Sequence, residues 1–177
     1  MANYKNRGSV YVGTYAKYNG GSVAGDWLDL DDYASYGSFV EACKKLHADE
    51  EDPELMFQDW ETSWTREISE TGVSSSLWDL PEDDHECMLL FAAYKATGDR
   101  LQNLIDRKVW DDVRVIPCHY EHQAAQAFLE DYLETMVSPE KDQHMQALIA
   151  CVDAERFYCG NGFDYTFVKG VGLVAVY

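Results

Sequence analysis

Glu82-Asp83-Asp84-His85-Glu86 is the densest run of proton- and metal-binding groups in this chain, and a divalent cation is its first candidate ligand. The spacing argues against one. Contiguous residues of a helix point in different directions and converge poorly on one ion, whereas carboxylates in a first helical turn simply complement the helix dipole. Cys118, His119 and His122 include a His-x-x-His spacing that would put two imidazoles on one helix face, the beginning of a zinc site, but no further ligand of the right kind stands nearby. Nucleophilic chemistry has less still: there is no Gly-x-Ser-x-Gly elbow, Gly-rich phosphate loop or His-Glu-x-x-His. The residues give no catalytic group, no metal and no cofactor.

The acids matter more as charge. Between Asp49 and Glu86 stand fourteen acidic residues and one basic one, Arg66, a net of −13, while residues 1–48 are neutral and residues 87–177 carry −5. An adaptation to salt would spread acid evenly, so this segregation points to a directed interaction. A solvated loop that aids solubility is the plainer reading of Asp49–Glu54. Trp60, Trp64, Trp78, Leu55, Phe57 and Leu77 interleave with the acids and mark the segment as folded, since a disordered acidic tail lacks such side chains. Carboxylates held at fixed spacing resemble, electrostatically, a row of DNA phosphates. The expected partner-binding surface comprises Asp49, Glu50, Glu51, Asp52, Glu54, Asp59, Glu61, Glu67, Glu70, Asp79, Glu82, Asp83, Asp84 and Glu86, with Asp111 and Asp112.

A net charge of −18 over 177 residues argues against direct nucleic-acid binding, which needs Lys and Arg on phosphates, and against an anionic membrane. The natural partner is a basic surface. Five cysteines without a Cys-x-x-Cys pair read as reduced, mostly buried thiols, and the N-terminal residues lack the apolar run of a signal peptide. A cytoplasmic protein is expected.

The elements that must position the acids read as α+β. Val10, Tyr11, Val12 and Tyr15 suit a strand closed at Asn19-Gly20-Gly21, and a second strand is expected from Val23 to Leu30. Ser38 and Glu41 form a candidate capping box for a helix burying Phe39, Val40, Cys43 and Leu46. A third strand follows at Leu55–Trp60. The Ser/Thr-rich stretch from Thr62 to Ser76 is the candidate boundary. Asp79 and Glu82 then read as the capping box of a helix that ends at Gly98, which would set Asp79, Glu82, Asp83 and Glu86 on one face. A short helix capped by Asp99, a strand at Val113–Ile116, a helix from about His119 to Met136, another from Ser138 toward Ala150, and closing strands after a turn at Asn161-Gly162 complete the reading. It gives three small subdomains: 1–61, a small sheet plus a helix; 62–108, helical and acidic; 109–177, mixed α+β.

Three blocks then resemble a known family. Val10-Tyr11-Val12-Gly13-Thr14-Tyr15-Ala16-Lys17-Tyr18-Asn19, Trp27-Leu28-Asp29-Leu30, and Pro53-Glu54-Leu55-Met56-Phe57-Gln58-Asp59-Trp60-Glu61 resemble the ArdA antirestriction family, and Ala150–Phe157 looks like a looser version of its Tyr-Ile-Asp-x-x-x-Phe segment. The resemblance is strongest over Val10–Glu61, and Val168–Tyr177 runs past the family's usual end. It implies an elongated, three-part α+β mimic of bent B-form DNA, without catalysis or cofactor. Such a protein would occupy the DNA channel of Type I restriction–modification enzymes, on their methyltransferase core, and protect incoming DNA of mobile elements. It also implies a homodimer joined through the C-terminal part, where Phe157, Tyr158, Phe163 and Phe167 supply apolar contacts. Duplex DNA carries one charge per ~1.7 Å, so the doubled charge of a dimer would match about 60 Å of duplex. Two rivals stand beside this reading: an acidic module for another basic DNA-binding protein, and a metal-dependent hydrolase built on the acidic clusters.

Overall fold

Alternation of buried and open side chains sets the first sheet. In β1 (Ser9–Thr14), Val10 and Val12 are buried while Tyr11 between them is half-exposed. The strand lies between β2 (Asp26–Asp29) and β3 (Leu55–Glu61), antiparallel to both. The register against β3 shifts between Tyr11 and Val12, a bulge that takes up one extra residue of β3. The computed structural model describes residues 4–136, 152–162 and 164–177.

The chain divides into two compact units, one of Met1–Cys87 with Arg100–Ile105 and one of Met88–Asp99 with Asp106–Tyr177. In the first, Thr14 caps α1 (Tyr15–Asn19) by accepting the Lys17 amide. The helix α2 (Tyr36–Leu46) buries Phe39 and Cys43, and Phe39 packs on Phe57 at 6.1 Å and Trp78 at 5.5 Å between ring centroids. The Trp78 indole donates to the Tyr33 carbonyl. A small hairpin of β4 (Ile68–Ser69) and β5 (Gly72–Val73) buries Ile68 and Val73, beside a fully buried Trp64. The first turn of α3 (Asp84–Thr97) and most of α4 (Leu101–Asp106) complete the unit, α4 burying Leu101 and Leu104.

The second unit is built on a three-stranded antiparallel sheet, β6 (Val113–Ile116), β8 (Gly172–Val176) and β7 (Thr166–Val168), with the last strand in the middle. The two faces of β8 are both covered. Leu173 joins Ile116, Phe128 and the partly buried Phe157, Tyr158 and Phe167 from α5 (Ala124–Met136), α6 (Ala154–Asn161) and β7. Val174 joins Ala92 of α3 and Val168. Burial on both sides explains why this strand reads Gly-Leu-Val-Ala-Val, without the alternation that marks β1. Gly172 has φ +140, and a Cβ there would lie 2.3 Å from the Ile116 carbonyl oxygen, so the close approach of β6 requires glycine.

Among the described residues the fold is thus mixed α+β, with three small antiparallel sheets and six α-helices. Several local expectations need correction. The second strand is only Asp26–Asp29. The capping box of α2 uses Ser35 as cap and Ser38 as its partner, in place of Ser38 with Glu41, because Ser35 already has the extended backbone that a cap needs. Asp83, and not Asp79, caps α3: its Oδ1 accepts the amides of His85 and Glu86 at 2.9 and 3.0 Å. Asp79, Glu82 and Asp83 therefore precede the helix and cannot share its face with Glu86. A short helical turn over Glu121–Gln123 delays α5 to Ala124. Asn161-Gly162 is the end of α6, a helix that begins at its cap Asp153 and that the sequence pattern did not reveal. The Thr62–Ser76 stretch, read as loop-like, holds the β4–β5 hairpin. The helix expected from Ser138 toward Ala150 lies outside the described residues.

The thiols give a test of this packing. Burial pushes Cys43 up to about 12 and Cys87 up to about 11, whereas Cys159 is exposed. Because the raised thiols keep their protons in the folded state, their contribution is complete below the ordinary value of 9.0 and falls as pH rises toward 11–12. Alkylation of native protein at neutral pH is expected to label Cys159 rapidly, with Cys43 and Cys87 reacting only on unfolding. Mass spectrometry of a time course checks the order.

Candidate functional site

The acids of the sequence stand on short, well-anchored elements. Asp49–Glu54 form the connection between α2 and β3, and Asp59 and Glu61 lie on β3. Glu67 and Glu70 flank β4, Asp79 follows a short helical turn at Ser75–Trp78, and Glu82 and Asp83 lead into α3, which begins with Asp84 and holds Glu86 in its first turn. Asp111 and Asp112 belong to a helical turn at Val109–Asp112 in the second unit. Glu50, Glu67 and Glu86 are half-buried, and the other thirteen of the sixteen are exposed.

Their charges are not equivalent. Lys17 Nζ lies 2.9 Å from Asp49 Oδ1 and 3.5 Å from Glu50 Oε1, and it donates to His47 Nδ1 at 2.9 Å. His47 is buried, and its Nε2 faces the Val12 carbonyl at 3.2 Å, which fixes Nε2 as the protonated ring nitrogen. The Thr14 hydroxyl donates to Glu50 at 2.6 Å. The hydrogen bond that Lys17 donates to Asp49 holds the Asp49 carboxyl below its ordinary value and, from the other side, raises Lys17. The donor atoms of His47, Asp49 and Glu50 lie within 4.8 Å of one another, but the Lys17 ammonium already stands among them, where a metal would. This is a lysine-neutralised anchor for the loop.

Other acids also have local tasks. Asp83 is held below the ordinary carboxyl value, chiefly by the Glu86 amide that it caps. Lys5 pairs with Asp84 at 2.8 Å. Glu67 accepts the Leu101 amide at the start of α4. Tyr15 is raised by burial and by its hydrogen bond to Glu70. Glu51, Asp52, Glu54, Glu61, Asp79 and Glu82 instead face solvent, with no ion pair among the described residues. Their carboxylates are what a cationic partner would meet first.

The four aromatics expected at a dimer contact divide differently. Phe157 and Tyr158 pack on Phe128 at 6.0 and 5.4 Å, and Phe167 lines the same core, all three half-buried. Phe163 lies outside the described residues. Sequence reasoning missed the exposed Asp26, Asp29 and Asp32 near the N-terminus, since the net charge of residues 1–48 is zero and averaging hides local acid. It also missed Lys17 as a neutralising group; the lysine sits in a helix that only the Thr14 cap would have signalled.

Such an arrangement defines a class: a small α+β protein whose chemistry is a display of ordered, exposed carboxylates. The family described as "Antirestriction protein (ArdA)" matches residues 10–165, and the chain belongs to that family. No curated protein matches the chain. Members of the ArdA family act against Type I restriction–modification systems and are inhibitors, not enzymes. Among the described residues no helix is long and apolar enough to cross a membrane.

Proposed function

We propose that this protein blocks a Type I restriction–modification enzyme in the cytoplasm by filling its DNA channel, its carboxylates standing in for the phosphates of bent B-form duplex. One observation carries the reading: none of the sixteen acids is buried, although they sit on ordered backbone among buried tryptophan and leucine. A channel that holds DNA is lined with cations, and fixed anions entering it release counterions from both surfaces. A mimic needs charge and shape but no base edges, so it acts across enzymes with different target sequences. Lys17, Lys5 and the α3 cap anchor the acidic segments, which lowers the cost of ordering them on binding.

In this proposal the elongated three-part organisation, 1–61, 62–108 and 109–177, divides the labour: the first two parts carry most of the acidic surface, and the third adds Asp111 and Asp112 and joins two copies. Phe157, Tyr158 and Phe167 support the joining role, each retaining exposed surface after packing internally. Sedimentation velocity at micromolar concentration is expected to give a dimer, and a monomer there contradicts this part. Competition between the protein and duplex DNA for a purified Type I methyltransferase core tests the whole: mutual exclusion supports it, and simultaneous binding refutes it.

A further inference from the structure

The outer face of the first sheet holds an aromatic pair with acids around it. Tyr11 and Trp27 are register partners on β1 and β2, their rings 5.8 Å apart and T-shaped at 73°. Trp27 is 41% exposed, a large apolar surface for a side chain at a sheet edge. The Tyr11 hydroxyl donates to the Val23 carbonyl at 2.8 Å, which fixes the ring that supports the indole. On β3, Asp59 pairs with Tyr11, and one row away Ser9 stands between Asp29 and Glu61. Strand alternation puts all of these on the face opposite the buried Val10. Asp29, Asp59 and Glu61 are exposed.

We infer that this face is an anchor for an arginine side chain of the target protein, the guanidinium stacking on Trp27 while carboxylates of the same face take its N–H groups. The inference rests on the proposed function, in that it takes the partner to be a basic DNA-binding surface. Charge complementarity selects the occupant: three exposed carboxylates around an aromatic pair repel an anion and leave an apolar partner facing unpaired charge. Arginine fits better than lysine because its guanidinium is planar, weakly hydrated and able to stack and hydrogen-bond at once. The chain uses the same contact internally, where Arg7 lies over the Trp78 ring at 5.7 Å. Strand addition at the open edge of β2 fits less well, because that strand has four residues and an acid at each end. A pure phosphate mimic has no use for the indole. As a rigid aromatic in a polar surround it has the form of an interface hot spot.

The test titrates the full-length protein with a peptide of alternating glycine and arginine and with its glycine–lysine counterpart of equal length. The Trp27 indole N–H resonance and the Kd are followed together. The arginine peptide is expected to bind about 5- to 10-fold tighter and to shift that resonance. Trp27→Ala should bring the preference below about 2-fold, while Trp27→Phe, which keeps an aromatic face and guards against misfolding, should retain most of it. Asp59→Asn with Glu61→Gln should weaken both peptides alike. Equal affinity for the two peptides, a preference that survives Trp27→Ala, or binding of neither overturns the anchor. A parallel arm measures wild-type binding to the Type I methyltransferase core. Failure there, with the arginine preference intact, refutes the channel-filling reading and leaves the arginine site standing.

Discussion

Neutralising Glu51, Asp52, Glu54, Glu61, Asp79 and Glu82 together is expected to abolish inhibition of a Type I enzyme, while each single change leaves it nearly intact. These six face solvent with no ion partner among the described residues, so their replacement by Gln or Asn removes charge and little else. An exposed charge pair is worth about 0.2–1 kcal/mol, so one loss lowers affinity by about 1.4- to 5-fold. Losses at well-separated sites add, which takes the combined variant to about 1–6 kcal/mol, roughly 10- to 10⁴-fold. An enzyme behaves in the opposite way, since removal of one positioned group can cost several kcal/mol by itself. Asp83→Asn serves as a control: Asn still caps α3, so helix and inhibition should both persist. Glu50→Gln is excluded from the series because it disturbs Lys17 and Thr14 and would mix folding with binding. Inhibition curves for each variant, with folding checked by circular dichroism, read the outcome.

Leu173→Ala should destabilise the second unit by about 2–5 kcal/mol, and removal of residues 166–177 should unfold it. Leu173 is fully buried against Ile116 and Phe128, and β8 stands between β6 and β7 and pairs with both. Deleting it removes the strand that hydrogen-bonds to β6 and exposes Ala92 and Phe128 to water. These residues lie beyond the segment that matches the family, yet they form the centre of the sheet. Thermal unfolding followed by circular dichroism, with hydrogen exchange at the β6 amides, measures the effect. A truncated protein with native β6 protection would show that the strand is dispensable.

Legibility in the sequence followed the strength of the local signal. β1, β3 and β6 were readable because apolar residues alternate or cluster within clear turns, and Gly98, at φ +74, ended α3 as glycine does. Caps were harder. Asp79, Asp83 and Asp84 offer competing acids within six residues, and only the backbone shows that the Asp83 oxygen meets two free amides. The α6 helix escaped because its mean apolar content is low and its aromatics, Phe157 and Tyr158, mimic a strand. The acidic surface was legible as a charge census over residues 49–86. The pairing that withdraws Asp49 and Glu50 from that surface was not, because Lys17 reaches them across more than thirty residues of chain.

The most direct measurement of the central claim is the affinity of the protein for a purified Type I methyltransferase core as salt is raised. Wild type should lose affinity steeply, log K falling linearly with log salt as it does for DNA itself. The six-acid variant, with fewer fixed anions, should show weaker binding and a shallower slope. Affinity indifferent to salt, or loss of all binding from any one neutralisation in a folded protein, would contradict distributed charge mimicry.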